Sequence, residues 1–150
     1  MDAPGTAFRL EMTAPASDVD DLGHVSNVAY VRWIQDAAVA ASTACGYDFA
    51  AYKALGAVFV VRRHEIEYLS PAFGGDRIAL FTWVESYRGV STIRRTEIAR
   101  VGDGKALVSA VTRWILVGTD DGRPKRISRE MAARFGVSPT TEPPRRDAPR

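Results

Sequence analysis

Residues 18 to 30, Asp-Val-Asp-Asp-Leu-Gly-His-Val-Ser-Asn-Val-Ala-Tyr, put three acids, a glycine turn and a histidine directly before a long apolar stretch. A carboxylate at a helix N-terminus lies where the dipole and unpaired backbone N–H groups also attract an oxyanion. One short segment can therefore hold a nucleophile or base together with the donors that polarise a carbonyl. The plainer alternative is that Asp18, Asp20 and Asp21 are solvated loop acids and that Ser26 or Asn27 only caps the helix.

Composition narrows the classes. The chain has 150 residues, 46% hydrophobic and 25% charged, which suits one domain with a real core. Net charge is only +2, and the 17 arginines and 3 lysines are interspersed with acids, so nucleic-acid binding is not indicated. Two histidines and no cysteine cluster leave too few soft ligands for a zinc site, and no metal or other cofactor is implied. The single Cys45 fits a reducing compartment and a packing role. No segment reads as a signal peptide or a membrane span, so a cytoplasmic location is expected.

The elements that must position the acids follow from periodicity. Residues 7–13 alternate Phe8, Leu10 and Met12 with Arg9 and Glu11, as in a half-buried strand. Over 28–45, Tyr30, Trp33, Ile34, Ala37, Ala38 and Ala41 share one helical face, and its small side chains allow close approach of whatever covers it. A short helix over 49–55 ends at Gly56. Residues 57–69, 77–87, 91–101 and 105–117 then read as four strands, joined as an antiparallel meander. A short helix over 128–135, capped by Ser128, follows, and a disordered tail is expected from 137. The domain is accordingly bounded at 1–136. The edges, and Phe81, Trp83 and Tyr87 exposed on one face, suit pairing with a second copy.

In this setting the chain resembles the hotdog-fold acyl-CoA thioesterases, specifically the 4-hydroxybenzoyl-CoA thioesterase-like group, and more distantly the acyl-ACP thioesterases. The residues that carry the likeness are Asp18 through Asn27, Tyr30 and Trp33, then Glu67-Tyr68-Leu69-Ser70-Pro71-Ala72 and Gly75-Asp76. They match the family pattern D-x-D-x-x-G-H-V-N-N-x-x-Y between a first strand and an alanine-rich helix. The resemblance implies an α+β hotdog fold, a long central helix wrapped by a five-stranded antiparallel sheet, working as a homodimer or dimer of dimers on an acyl-CoA or acyl-carrier-protein thioester.

By the same resemblance Asp20, three residues before Gly23, is the catalytic carboxylate, acting as nucleophile or as general base for water. Backbone N–H groups around Asn27 and Val28 would bind the oxyanion. His24 matches the histidine of the acyl-ACP branch, but the asparagine which that branch places two residues after the acid is Leu22, so His24 has either a catalytic or a turn-closing role. Ser26 stands for the first asparagine of the N-N pair and still caps a helix. Gly23, Tyr30, His64, Arg63 and Arg88 are further candidates for substrate binding, with Arg62, Arg94 and Arg95 also available for CoA phosphates. His64 shares a face with Ile66 and Tyr68, where a satisfied core histidine is the ordinary alternative. Tyr47, Phe49, Phe59 and Trp83 are candidates for the acyl pocket or for plain core. Two other functions stay open: a protein that binds an acyl thioester without turnover, and a hydratase or dehydratase on the same fold, for which the histidine in a glycine-proline setting is missing.

Overall fold

The computed structural model describes residues 3–137. In chain order it contains β1 (Phe8–Thr13), a 3-10 turn (Ala16–Asp18), α1 (Asn27–Ala44), α2 (Phe49–Leu55), β2 (Ala57–Tyr68), β3 (Arg77–Arg88), β4 (Ser91–Arg100), β5 (Ala106–Gly118) and α3 (Arg129–Arg134). The tail expected to be disordered lies, beyond Val137, outside the described residues.

Local chemistry sets the helix limits. Ser26 Oγ accepts from Ala29 N at 3.3 Å to open α1, Asp48 accepts from Ala51 N at 2.8 Å to open α2, and Ser128 accepts from Met131 N at 3.0 Å to open α3. Beyond α1, Gly46 takes φ +99°, and a Cβ there would meet the Arg134 guanidinium at 2.7 Å.

The five strands form one antiparallel sheet in the order β1-β3-β4-β5-β2. The expected meander therefore holds only for β3, β4 and β5. The chain leaves β2 at Tyr68, opposite Val108 of β5, and runs across the strand ends to β3 instead of turning back as a hairpin. Leu69 N and Ser70 N both donate to Leu107 O, and Arg100 Nη1 donates to Pro71 O at 3.4 Å, which ties this crossing to β5 and β4. Pro71 has no N–H with which to extend a ladder. The edges of the sheet are β1 and β2.

One sheet face wraps α1. Ala29, Tyr30, Trp33, Ile34 and Ala37 pack against Ile78, Leu80, Ile98, Val108 and Ala110, all buried. Ile34 is fully enclosed, so truncation to alanine would cost about 2–5 kcal/mol. A second cluster, built from Ala57, Tyr87, Leu116, Ile127, Met131 and Ala132, closes the opposite end beneath α2 and α3.

Of the three register slips in the sheet, those in β3 and β2 reset which of the candidate side chains face the helix. The register slips between Val84 and Ser86, leaving Glu85 extra, so Tyr87 turns inward, where it is 8% exposed. The face expected to show Phe81, Trp83 and Tyr87 together thus carries only the first two, both half-buried. The slip between Val61 and Arg63 makes Arg62 the extra residue of β2, so Phe59 and Val61 before it and His64 and Ile66 after it are the more covered positions.

Candidate functional site

The acid cluster forms a small hairpin leading into α1. Ser26 N donates to Asp18 O at 2.8 Å, Val19 bridges Val25, and Asp20 N donates to His24 O at 2.7 Å. Gly23 closes the tip at φ +81°, its N–H donating to Asp20 O at 3.0 Å. Asp20 is exposed, and its Oδ1 accepts from Leu22 N at 2.9 Å and His24 N at 3.2 Å. These bonds fix the carboxylate through one oxygen. Asp20 sits two ladder steps, roughly 7 Å, beyond the Asp18–Ser26 pair at the helix cap. Asn27 and Val28 are exposed in the first turn, where backbone N–H groups have no acceptor within the helix.

The three acids are not equivalent. Asp18 is 8% exposed and accepts from Arg32 Nη2 and from Trp33 Nε1, the latter at 3.0 Å. Burial works against its charge, but the two hydrogen bonds and the guanidinium field outweigh that, and the carboxyl ionises below its ordinary 3.8. Asp18 thus anchors the hairpin to the first two turns of α1. Asp21 is exposed. Neither Arg32 nor Trp33 was foreseeable as an anchor from sequence spacing, because both lie half a hairpin and a helix turn away from Asp18.

A second loop, before β3, braces the first. Val25 N donates to Ala72 O at 2.8 Å, His24 bridges Phe73, and the His24 ring meets the Phe73 ring edge-on at 5.2 Å. His24 therefore shares backbone bonds with Asp20, while its half-buried ring packs on Phe73. Asp76 holds this loop by accepting from Phe73 N at 2.9 Å and from Arg100 Nη1 at 3.3 Å. Phe73 was missed as a site residue; the glycine-rich turn around it was its only signal.

Of the other candidates, Tyr30 lies in the core, 3% exposed, with its hydroxyl accepting from Ala72 N at 3.2 Å. It supports the second loop from below. Tyr68, at the end of β2, donates to Asn27 O at 3.4 Å and so brings that strand beside the helix start. His64 lies four residues earlier, roughly 13 Å back along the strand, and Arg63 one further. His64 Nδ1 is 2.9 Å from Thr112 Oγ1, while its Nε2 is buried with no partner among the described residues. Burial holds its pKa below 6.5. Arg88 is at the far end of β3, roughly 35 Å from the Asp76 end, so within one chain it cannot meet what Asp20 meets. Arg95 is engaged with Glu85 at 2.7 Å, and Arg94, expected as an exposed phosphate contact, is instead 6% exposed beneath α1. Among the described residues no three His, Cys, Asp or Glu side chains come together as a metal site, and no helix is long and apolar enough to cross a membrane.

A sequence profile described as the thioesterase-like superfamily matches residues 14–135. No curated protein sequence matches significantly. Among solved structures, a putative oleoyl thioesterase from Lactobacillus plantarum superposes with TM-score 0.86 over 99% of this chain at 17% identity, and the match spans 57% of that longer chain. A 1,4-dihydroxy-2-naphthoyl-CoA thioesterase from Synechocystis gives 0.79 at 14% identity, covering 87% of this chain and 96% of that one. A Staphylococcus aureus protein solved in complex with CoA gives 0.81 at 14% identity, covering 93% and 90%. The helix wrapped by a five-stranded antiparallel sheet is the hotdog fold of these proteins. Since the profile takes in both loops, the start of α1 and all of the sheet beyond β1, the chain belongs to the thioesterase-like superfamily.

Proposed function

We propose that this protein hydrolyses an acyl-CoA or acyl-carrier-protein thioester, with Asp20 as nucleophile or general base and the first-turn N–H groups near Asn27 and Val28 as the oxyanion site. The observation that carries the reading is the Asp20 carboxylate, pinned through Oδ1 to two backbone N–H groups and set about two ladder steps from the start of α1, where Ser26 caps Ala29 N and the N–H groups of Asn27 and Val28 have no acceptor within the helix. A fixed carboxylate beside fixed donors is the arrangement thioester attack requires: one group delivers the nucleophile, and the other holds the charge that develops on the carbonyl oxygen. Gly23 shapes the turn that aims Asp20, and His24 braces it through its backbone and Phe73.

The CoA-bound neighbour and the CoA thioesterase neighbours favour CoA over a carrier protein as the carrier of the acyl group. Arg63 and Arg88, distant from Asp20 in their own chain, become phosphate contacts only across a subunit boundary. The long edge strand β2, with Val60 and Tyr68 exposed and Tyr68 touching the helix start, is the edge we propose for pairing with a second copy in a dimer or dimer of dimers.

The test is turnover of straight-chain, branched and aryl acyl-CoAs, with released CoA read by a thiol reagent. Asp20→Asn is expected to lose at least about a hundredfold while keeping the fold. Near-normal turnover by that variant would overturn the assignment, and binding without CoA release by the wild type would make the protein an acyl-thioester-binding module.

A further inference from the structure

On the flank of α1 that faces β1 lies a groove of about 660 Å³, whose walls include Phe8, Ala41, Cys45, Thr82, Arg94 and Arg134. By helix rise, Cys45 is roughly 27 Å from Asn27, so the groove is separate from the carboxylate site of the same chain. The edge proposed for pairing, β2, is at the other side of the sheet. Polar and apolar groups share the lining, and the volume falls within the roughly 300–1,000 Å³ of small-molecule sites.

Register and packing bring two cations to this space. Arg94 lies on the inner face of β4 between Thr92 and Thr96 and is 6% exposed. Its Nη1 donates to Thr82 Oγ1 at 3.2 Å, diagonally across to β3, and Thr82 is the register partner of Phe8 in β1, so the guanidinium leans toward the β1 flank. Of the five N–H donors a guanidinium carries, this is the one bonded among the described residues, and none of the ion pairs there includes Arg94. Burial, only partly offset by Tyr52 and Cys45 nearby, pushes the Arg94 pKa down to about 10, which leaves it charged at neutral pH.

Arg134, at the end of α3, is the second cation. A Cβ on Gly46 would meet its Nη1 at 2.7 Å, and its guanidinium lies over the Tyr47 ring at 5.5 Å, so it packs against the chain just beyond α1. Its ion pair with Glu130 is long, at 3.5 Å, and exposed. Burial raises the Cys45 pKa, and the Arg94 and Arg134 guanidinia both work against that rise, which puts the two cations around one point of the groove. Glu85 is the acid in the lining, and it is engaged with Arg95 at 2.7 Å.

Two guanidinia without a buried counter-ion call for an anion with two charges and several oxygens. Phe8, Ala41 and Phe135 supply an apolar wall beside them. We propose that this groove binds a phosphomonoester, its phosphate dianion on Arg94 and Arg134 and its apolar body against Phe8, Ala41 and Phe135. The site is distinct from the proposed hydrolysis and does not depend on it.

The experiment is calorimetric titration of the full chain, in phosphate-free buffer, with phenyl phosphate, inorganic phosphate and phenol. Phenyl phosphate is expected to saturate one site per chain, to bind at least tenfold more tightly than phenol and severalfold more tightly than inorganic phosphate. Arg94→Met is expected to weaken phenyl phosphate at least tenfold. Arg134→Gln, a change at a half-exposed side chain, is expected to weaken it severalfold and to leave phenol unchanged. Asp20→Asn is expected to bind as the wild type does, and CoA is expected not to displace the ester. Absence of saturable binding, equal binding of phenol or of inorganic phosphate, indifference to Arg134→Gln or to Arg94→Met in a folded variant, loss of binding in Asp20→Asn, or displacement by CoA overturns the proposal.

Discussion

Asp18 accepts the indole N–H of Trp33 at 3.0 Å, and the same carboxylate meets the Arg32 guanidinium, so the first acid of the cluster fastens the hairpin to α1 and leaves Asp20 as the acid presented at its tip. A removal that strands a buried donor costs about 1–3 kcal/mol, and Asp18→Ala is expected to lower stability by that order in denaturant unfolding. The pH dependence has a definite sign. Because the folded-state pKa lies below 3.8, the stabilisation is present above that pH and is lost as pH falls through the folded value. The gap between wild type and Asp18→Ala should close in that acid window; a gap that persists at the lowest pH would show that the charge is not what holds the hairpin.

Gly23→Ala probes the turn separately from the carboxylate. No atom lies within 4 Å of a Cβ built there, so the penalty is that of φ +81° alone, about 1–2 kcal/mol. A variant that relieves this strain by reshaping the tip displaces Asp20, and turnover should fall roughly tenfold to a hundredfold. Unchanged kcat with a lowered melting temperature would show that the tip tolerates the strain without moving the acid.

Tyr30→Phe removes the acceptor for Ala72 N, a buried backbone donor. The expected cost is about 1–3 kcal/mol, read as a drop in unfolding midpoint. Since the Tyr30 hydroxyl is engaged within the core, KM for an acyl-CoA should change little; a large rise in KM at unchanged stability would restore Tyr30 to the substrate-contacting set.

His64 gives a second pH signature, of the same sign as Asp18 but in another window. Burial depresses its folded pKa below 6.5, so its contribution is intact above pH 6.5 and declines as pH falls through the folded value, when the buried ring must take up a proton. Thermal unfolding of His64→Gln should be flatter than wild type between neutral and mildly acidic pH. Identical pH profiles would show that the ring can be protonated in place.

What the sequence determined by itself was local. Alternation in residues 8–13, the alanine-rich helical face, the caps Ser26 and Ser128, and Gly46 and Gly56 fix the elements to within a residue or two, because each depends on neighbours a few positions away. The turn from Asp20 to His24 was equally legible as a turn, since it forms its own hydrogen bonds. The tertiary structure decided what depends on distant partners. It placed β2 beside β5 rather than β3, and it set the bulges at Arg62 and Glu85, which exist only because the partner strands impose a register. Through the Glu85 bulge Tyr87 turned into the core, and Arg94 came to lie with Thr92, Thr96 and Ile98 on the inner face of β4 as a buried cation instead of on the surface. A period of two assigns residues to faces, but which face is inside, and where the period slips, follows from pairing across the sheet.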